Sequence, residues 1–424
     1  MNADSSKLIE HFFRHEYGRL VAVLTKRFGL RRIDLAEDVA QSALTQALRH
    51  WARSGIPDNP GGWLYRVASR LAIDALRRET LHNQRMQDML HEASRAEHCT
   101  EFQAESWDDD ECVDDQLRLL LACCSPELSH SSSIALALKV MGGFSIPEIS
   151  HALLTSQANV QKRITRAKER LSELPTLSAN ECVKDRVDAA TMVLYLLFNE
   201  GYLSSHTEVS IRRDLCHEAK RLALLLANHA QCDKASIFAL LGLMSFHMAR
   251  LDARTDSSGE MLLLDRQDRS QWDWAKIREG MDWMQRSADG TEVTRYHIEA
   301  SIAWEHCRAR RFEDTDWGQI RHLYDLLIQR ISSPAQWLNR AIAEFYCNGP
   351  TAALQIIEAL PQEQQPKEYP IWHAVIGFLQ HKNGNMLLAK EHWVEALRCT
   401  HSRAEQELLR RRIASCIDSR PETQ

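Results

Sequence analysis

The chain has no run of apolar residues approaching the ~20 that span a bilayer, and Met1 to Glu10 contain no apolar signal core. Membrane insertion and export are not expected, which leaves a soluble, cytoplasmic protein. The 11 cysteines include no C-x-x-C pair, and the adjacent Cys123 and Cys124 have poor geometry for a mutual disulfide. Unpatterned thiols in a chain of this length fit a reducing compartment. The 19 histidines offer no H-E-x-x-H spacing. His11 and His15 stand four apart without a third ligand, so they read as surface residues. No metal, no cofactor and no nucleophile–base pair are expected, and therefore no enzyme. Sustained apolar–polar alternation is missing too, which excludes a half-buried sheet.

Apolar residues instead recur at three- and four-residue steps almost throughout, the mark of an all-α protein. With 424 residues, 44% hydrophobic and 26% charged, the chain can build two or three cored domains. Its net charge of −6 is not that of a basic nucleic-acid binder, so any DNA contact must rest on local patches. Composition divides it into a helical Arg-rich block over 7–80, an acidic linker over 81–115, a second helical block over 116–174 and a helical array over 183–418. Within the array, Trp337 and Trp372 stand 35 residues apart, as do Gly349 and Gly384. That period suits tetratricopeptide-like helix pairs, although two similar hairpins in an ordinary bundle would look the same. The linker, with Trp107-Asp108-Asp109-Asp110-Glu111 and Asp114-Asp115, is either a self-repelling spacer or a mimic of nucleic acid.

In the first block, residues 34–51 form an amphipathic helix. Asp34 stands at a capping position with Glu37 three later. Ala36, Val39, Ala40, Ala43, Leu44, Ala47, Leu48 and Trp51 supply the buried stripe, and Glu37, Asp38, Gln41, Thr45 and Arg49 the outer face. Over 62–78, Leu64, Val67, Ala68, Leu71 and Ala75 make a core stripe. A second stripe carries Trp63, Arg66, Arg70, Asp74 and Arg77. An aromatic plate beside guanidinium groups suits unpaired bases and phosphates. A solvated basic helix with Trp63 packed at a domain surface is the alternative.

In the second block, Ser145 caps a short helix, with Pro147 in its first turn and Glu148 three past the cap. Leu154-Thr155-Ser156 is a tight turn, and Ser156 caps the next helix. There Val160, Ile164, Ala167 and Leu171 face inward. Gln157, Asn159, Gln161, Lys162, Arg163, Arg166 and Arg170 face out. This pattern matches a helix-turn-helix, whose amide and guanidinium groups suit base edges in a major groove. A structural hairpin with a solvated basic face is the other reading.

The two blocks in this order resemble the extracytoplasmic-function sigma factors of bacterial RNA polymerase. Leu35-Ala36-Glu37-Asp38-Val39-Ala40-Gln41 is similar to that family's polymerase-clamp helix. Trp63 to Ala68 with Asp74 to Arg78 is similar to its minus-ten segment, and Ile164-Thr165-Arg166-Ala167-Lys168 to its minus-thirty-five helix-turn-helix. Farther on, Asp115 to Leu119, Cys123-Cys124, Phe198-Asn199-Glu200-Gly201-Tyr202, Asp214 to Ala219, Gln267 to Ser270, Thr315-Asp316-Trp317 and Leu338 to Ala341 resemble the subgroup with a tetratricopeptide-like C-terminal extension. Ser125 stands where that subgroup has His, Ser69-Arg70 where relatives carry Arg-Asn, and Ser150 where Ala is common.

The resemblance implies a non-enzymatic initiation factor that binds core polymerase, recognises promoter DNA and aids strand opening. Asp34, Glu37, Asp38 and Gln41 would meet the polymerase. Trp63 and Arg66 would hold an unpaired promoter base, and Arg70, Arg77 and Arg78 phosphates. Ser156, Gln157, Asn159, Lys162, Arg163 and Arg166 would address the upstream element. The C-terminal array would serve regulation or a regulatory protein partner. Phe198 to Tyr202 reads as a helix end with a Gly cap. Gln267-Asp268-Arg269 and Thr315-Asp316 read as helix caps or buried polar contacts. The rival function is a one-component helix-turn-helix regulator with a helical sensor domain, which leaves residues 34–78 without a role.

Overall fold

The computed structural model describes residues 3–88, 109–125, 127–153, 155–173, 184–202, 211–228, 234–256, 262–361, 365–366, 369–400 and 403–418. Among the described residues the chain is helical, with no helix long and apolar enough to cross a membrane. It divides into two compact units, Met1–Leu197 with Asn228–Cys232, and Phe198–Ala227 with Asp233–Gln424.

The first unit holds α1 (Ala3–Phe28), α2 (Ile33–Ser54), α3 (Pro60–Asp88), α4 (Asp109–Cys123), α5 (His130–Val140), α6 (Ile146–Ala152), α7 (Gln157–Glu173) and most of α8 (Lys184–Tyr202). Gly29 and Gly55, both at positive φ, bound α2. Its buried residues Ile33, Ala36, Glu37, Val39, Ala40, Ala43 and Ala47 recur at the helical period. Two features differ from the sequence reading. Leu48 is 49% exposed. The N-cap is Arg32, without a side-chain bond, so Asp34 lies inside the first turn and Glu37 is buried instead of closing a capping box. In α3 the Asn59 side chain accepts from the Gly62 amide at 2.7 Å, and Pro60 opens the helix where no donor is needed. Leu64, Tyr65, Ala68 and Ala72 are its buried hydrophobic residues, while Val67, Leu71 and Ala75 are half-buried. Tyr65 belongs inside because its hydroxyl accepts from Arg27 at 2.9 Å.

Part of the expected linker is helix. Residues 81–88 continue α3, and Asp109 to Asp115 begin α4. Trp107 and Asp108 lie outside the described residues. The unit boundary also falls inside α8 and not within 174–183, because α8 starts against the second block, with Arg186 beside Cys124. Cys123 and Cys124 are buried free thiols. Burial pushes Cys124 up to about 12, with Arg186 opposing, so neither is poised for thiolate chemistry.

The second unit continues with α9 (Arg213–Asn228), α10 (Ala235–Met248), α11 (Trp274–Ser287), α12 (Arg295–Arg308), α13 (Trp317–Arg330), α14 (Pro334–Asn348), α15 (Pro350–Glu358), α16 (Pro370–Lys382), α17 (Met386–Cys399) and α18 (Arg403–Asp418). The α10 helix is apolar on every side and almost wholly buried, so it forms the axis on which α11 and α12 pack. The 35-residue repeat corresponds to the hairpins α14–α15 and α16–α17. Their turns use Gly349 and Gly384, each at φ 87, a conformation that excludes most side chains. Trp372 is buried in one cluster with Leu338, Ile357 and Leu379, and Trp337 packs against its edge.

The Phe198 to Tyr202 segment stays helical to Tyr202, so Gly201 is not a C-cap. A Cβ on Gly201 would lie 2.8 Å from the Cys216 amide nitrogen and 2.9 Å from the Arg212 carbonyl oxygen. The glycine lets α8 and α9 touch backbone to backbone. Arg254 donates to the Tyr202 carbonyl at 2.6 Å and lies over the Tyr202 ring at 3.7 Å. Arg269 donates to the carbonyls of His306 and Ala309, both at 2.8 Å, and to the Thr315 hydroxyl at 3.2 Å, closing the end of α12. Asp268 accepts from the Ser270 amide, and Asp316 caps α13 through the Gln319 amide.

Substituting Gly201→Ala should destabilise the second unit by about 1–3 kcal/mol, read by urea denaturation, with no change in helix content at 25 °C. The same unit should weaken in acid. Burial, then Arg250 and Arg269, depress His306 to about 3, and burial also holds His247 well below the usual histidine range. Unfolded histidines take up protons below about 6.5 while the folded ones stay neutral. Stability is therefore full above that pH and lost as pH falls towards 3, by up to about 1.4 kcal/mol per pH unit for each residue. Denaturation midpoints from pH 7.5 to 5 check this, and a midpoint that does not move contradicts it.

Candidate nucleic-acid interface

The helix-turn-helix is built by local capping. Ser145 and Glu148 exchange bonds, with the Ser145 amide donating to Glu148 Oε2 at 2.7 Å and the Glu148 amide to Ser145 Oγ at 3.4 Å. Ser156 accepts from the Asn159 amide at 3.3 Å and starts α7. Leu154 lies outside the described residues. Val160, Ile164, Ala167 and Leu171 are buried against α5 and α6. Ser156, Gln157, Asn159, Lys162 and Arg166 are exposed, and Arg163 is half-buried. Lys162, Arg163 and Arg166 have no carboxylate partner among the described residues. Arg170 differs: it pairs with Glu127 at 3.3 Å and Glu173 at 2.7 Å.

On α3, Arg66, Arg70, Arg77 and Arg78 are exposed, and none pairs with a carboxylate among the described residues. By contrast, Glu79 of the same helix is paired, with Arg32 before α2, at 2.5 Å. Trp63 is half-buried. His50 stacks on it at 5.5 Å, and Trp51 meets it edge-on at 5.4 Å. The indole is thus braced against the end of α2, an arrangement that spares part of the entropy a free side chain loses on contact.

The α2 residues fare differently. Asp38 and Gln41 are exposed. Asp34 and Glu37 are already engaged by Lys168 of α7, whose ammonium lies 2.6 Å from Asp34 Oδ1 and also bonds Glu37 Oε2. Glu37 is only 4% exposed, and its other oxygen accepts from the Tyr17 hydroxyl at 3.0 Å. Burial disfavours the Lys168 charge, but bonds to the two carboxylates carry its pKa above the ordinary lysine value. Burial and the Glu37 charge push the Tyr17 phenol up as well. Three further ties join the blocks. Arg31 Nε donates to the Ser172 carbonyl at 2.8 Å, Lys26 pairs with buried Asp115 at 3.2 Å, and α1 passes so close to Met141 that a Cβ on Gly18 would sit 2.5 Å from its carbonyl oxygen.

Thus α7 has two working faces. One presents its bare cations to solvent, and the other locks onto α2. Lys168, Tyr17 and Arg31 carry no signal of this in the sequence, since their partners lie 20 to 141 residues away. No group of three His, Cys, Asp or Glu able to hold a metal occurs among the described residues.

Residues 12–81 match the model of sigma-70 region 2, and residues 186–288 match a family of unknown function, DUF6596. An uncharacterized protein of Rhizobium meliloti (strain 1021) is 33% identical over 386 residues, 90% of either chain. A probable ECF RNA polymerase sigma factor SigI of Mycobacterium tuberculosis is 27% identical over 157 residues, 37% of this chain. The match spans 52% of that relative's length. No solved structure matches.

Replacing Lys168 with Met should strand the Glu37 carboxylate and destabilise the first unit by about 1–3 kcal/mol. The double variant Lys168→Met, Glu37→Gln should recover most of that loss. Chemical denaturation of all three proteins closes the cycle, and strict additivity would deny the coupling.

Proposed function

Because the chain belongs to the extracytoplasmic-function sigma factors of RNA polymerase, we propose that it binds core polymerase, recognises promoter DNA and helps open the strands. The observation that carries this reading is the row of bare guanidinium groups on α3 beside a braced Trp63, inside the segment that matches sigma-70 region 2. Arg70, Arg77 and Arg78 would follow phosphates, and Trp63 with Arg66 would receive a base drawn out of the stack. Extrusion costs a few kcal/mol, and stacking on an indole returns roughly 1–3 kcal/mol. The outer face of α7, with Ser156, Gln157, Asn159, Lys162, Arg163 and Arg166, would address the upstream element as duplex.

Core polymerase would take the α2 face through Asp34, Glu37, Asp38 and Gln41. In the arrangement seen here Lys168 holds two of those four groups. A cationic polymerase surface must therefore displace a cation of the protein's own, and the two blocks must separate as it does so. The C-terminal helices would regulate this core or receive a regulatory partner, and their hairpins support a tetratricopeptide-like reading.

The test is transcription in vitro with purified core polymerase and a promoter library. Full-length protein should give promoter-dependent transcripts. Asp38→Lys, at an exposed position, should weaken core binding about tenfold or more. Arg66→Ala with Arg70→Ala should preserve core binding and reduce open complexes. Firm binding to duplex DNA with neither transcripts nor core binding would replace this reading with the one-component regulator.

A further inference from the structure

The C-terminal unit contains a cleft of about 450 Å³ between the turn that precedes α11 and the end of α12. That volume falls within the range of small-molecule sites, roughly 300–1,000 Å³. Its floor is Arg269, Trp272 and Cys307, all buried. Its rim is Ser270, Trp274 and Arg310, all exposed.

Three observations concern its chemistry. First, the floor has unmade bonds: Arg269 Nε and Trp272 Nε1 are buried N–H groups without an acceptor, on side chains 8% and 3% exposed. Native structures seldom leave such donors bare, since each forfeits a bond to water and gains none in return. Second, positive charge gathers there without compensation. Arg310 forms no ion pair among the described residues, and no carboxylate lines the cleft. The Arg250 guanidinium lies 5.2 Å from the Trp272 ring and that of Arg269 4.9 Å. Glu313 and Asp314 act on Arg269 from outside the cleft, and Asp314 is already paired with Arg311 at 2.8 Å. Third, Trp274 is 45% exposed at the rim, a large apolar plate with nothing covering that part of it.

Buried guanidinium charge below, a cation at the edge and an aromatic wall define the complement: an anion with a flat apolar body. We propose that this cleft is a binding site for a small aromatic carboxylate. Arg310 receives the carboxylate, and the ring lies against Trp274. Charge-assisted bonds to guanidinium are short and directional, and indole faces suit a flat ring. The resident arginine Arg269 also closes the end of α12 through His306 and Ala309, so an occupied cleft would act on the helix that packs against α10 and α13. The cleft lies wholly within the C-terminal unit, so the proposal is independent of the sigma reading.

The experiment is isothermal titration of the full chain with benzoate, phenylacetate and indole-3-acetate, each beside its neutral amide. At least one acid should bind with a Kd below about 1 mM, and its amide about tenfold more weakly. Arg310→Gln, at an exposed position that leaves the fold intact, should weaken the acid about fivefold or more. Trp274→Ala should do the same. Arg269→Gln is a poorer probe because it also frees the α12 carbonyls. Failure of all three acids to bind overturns the proposal, as does equal affinity for acid and amide, or an Arg310→Gln protein that binds unchanged.

Discussion

A carboxylate taken out of water must be given partners or a proton, and Glu37 is given partners. Its two oxygens receive Tyr17 from α1 and Lys168 from α7, so two neighbouring helices and one far along the chain converge on one side chain. Around that triad the first unit is assembled. The close pass of Gly18 over Met141, the Lys26–Asp115 pair and the Arg31 bond to Ser172 all hold the same two blocks together. Buried ion pairs gain little net stability because desolvation offsets the attraction, but breaking one is costly. Such a pair sets which arrangement forms more than how firmly it holds.

The second unit solves a related problem differently. Its described interior keeps four arginines, Arg212, Arg250, Arg254 and Arg269, beside three glutamates, Glu200, Glu305 and Glu344. Arg254 lies over Tyr202, and Arg250 and Arg269 lie against Trp272. Guanidinium groups tolerate this because they are weakly hydrated and stack on aromatic faces. Carbonyls at the end of α12 accept from Arg269, and the Tyr202 carbonyl accepts from Arg254. Burial and the surrounding guanidinium groups keep His306 neutral.

Much of this was legible in the sequence where the cause is local. The cap at Ser145 with Glu148, the Ser156 turn, the inward set Val160, Ile164, Ala167 and Leu171, and the Arg stripe of α3 all depend on neighbours within a few residues. Glu37 misled because solvated and buried acids look alike until the partner is known, and Lys168 is 131 residues away. Gly201 misled for the same reason: a glycine after a helical run suits a cap, but here the second helix needs the space. The acidic stretch read as a spacer because like charges repel, yet residues 81–88 continue α3 and residues 109–115 begin α4. The exposure of the α3 arginines was readable because it depends only on the helical period, and none of Arg66, Arg70, Arg77 and Arg78 pairs with a carboxylate among the described residues.

The two faces of α7 would make the protein's affinity for a partner that needs Asp34 and Glu37 a matter of populations. A partner that takes only separated blocks sees only the fraction already apart. If the Lys168 triad and its neighbours hold the blocks together by about 2 kcal/mol, roughly 3% of molecules are open, and the measured dissociation constant rises about thirtyfold above the intrinsic one. Whatever loosens α7 from α2 would shift that fraction without touching either proposed binding surface, so one lysine on the hidden side of a helix would set the gain of such a partner's binding.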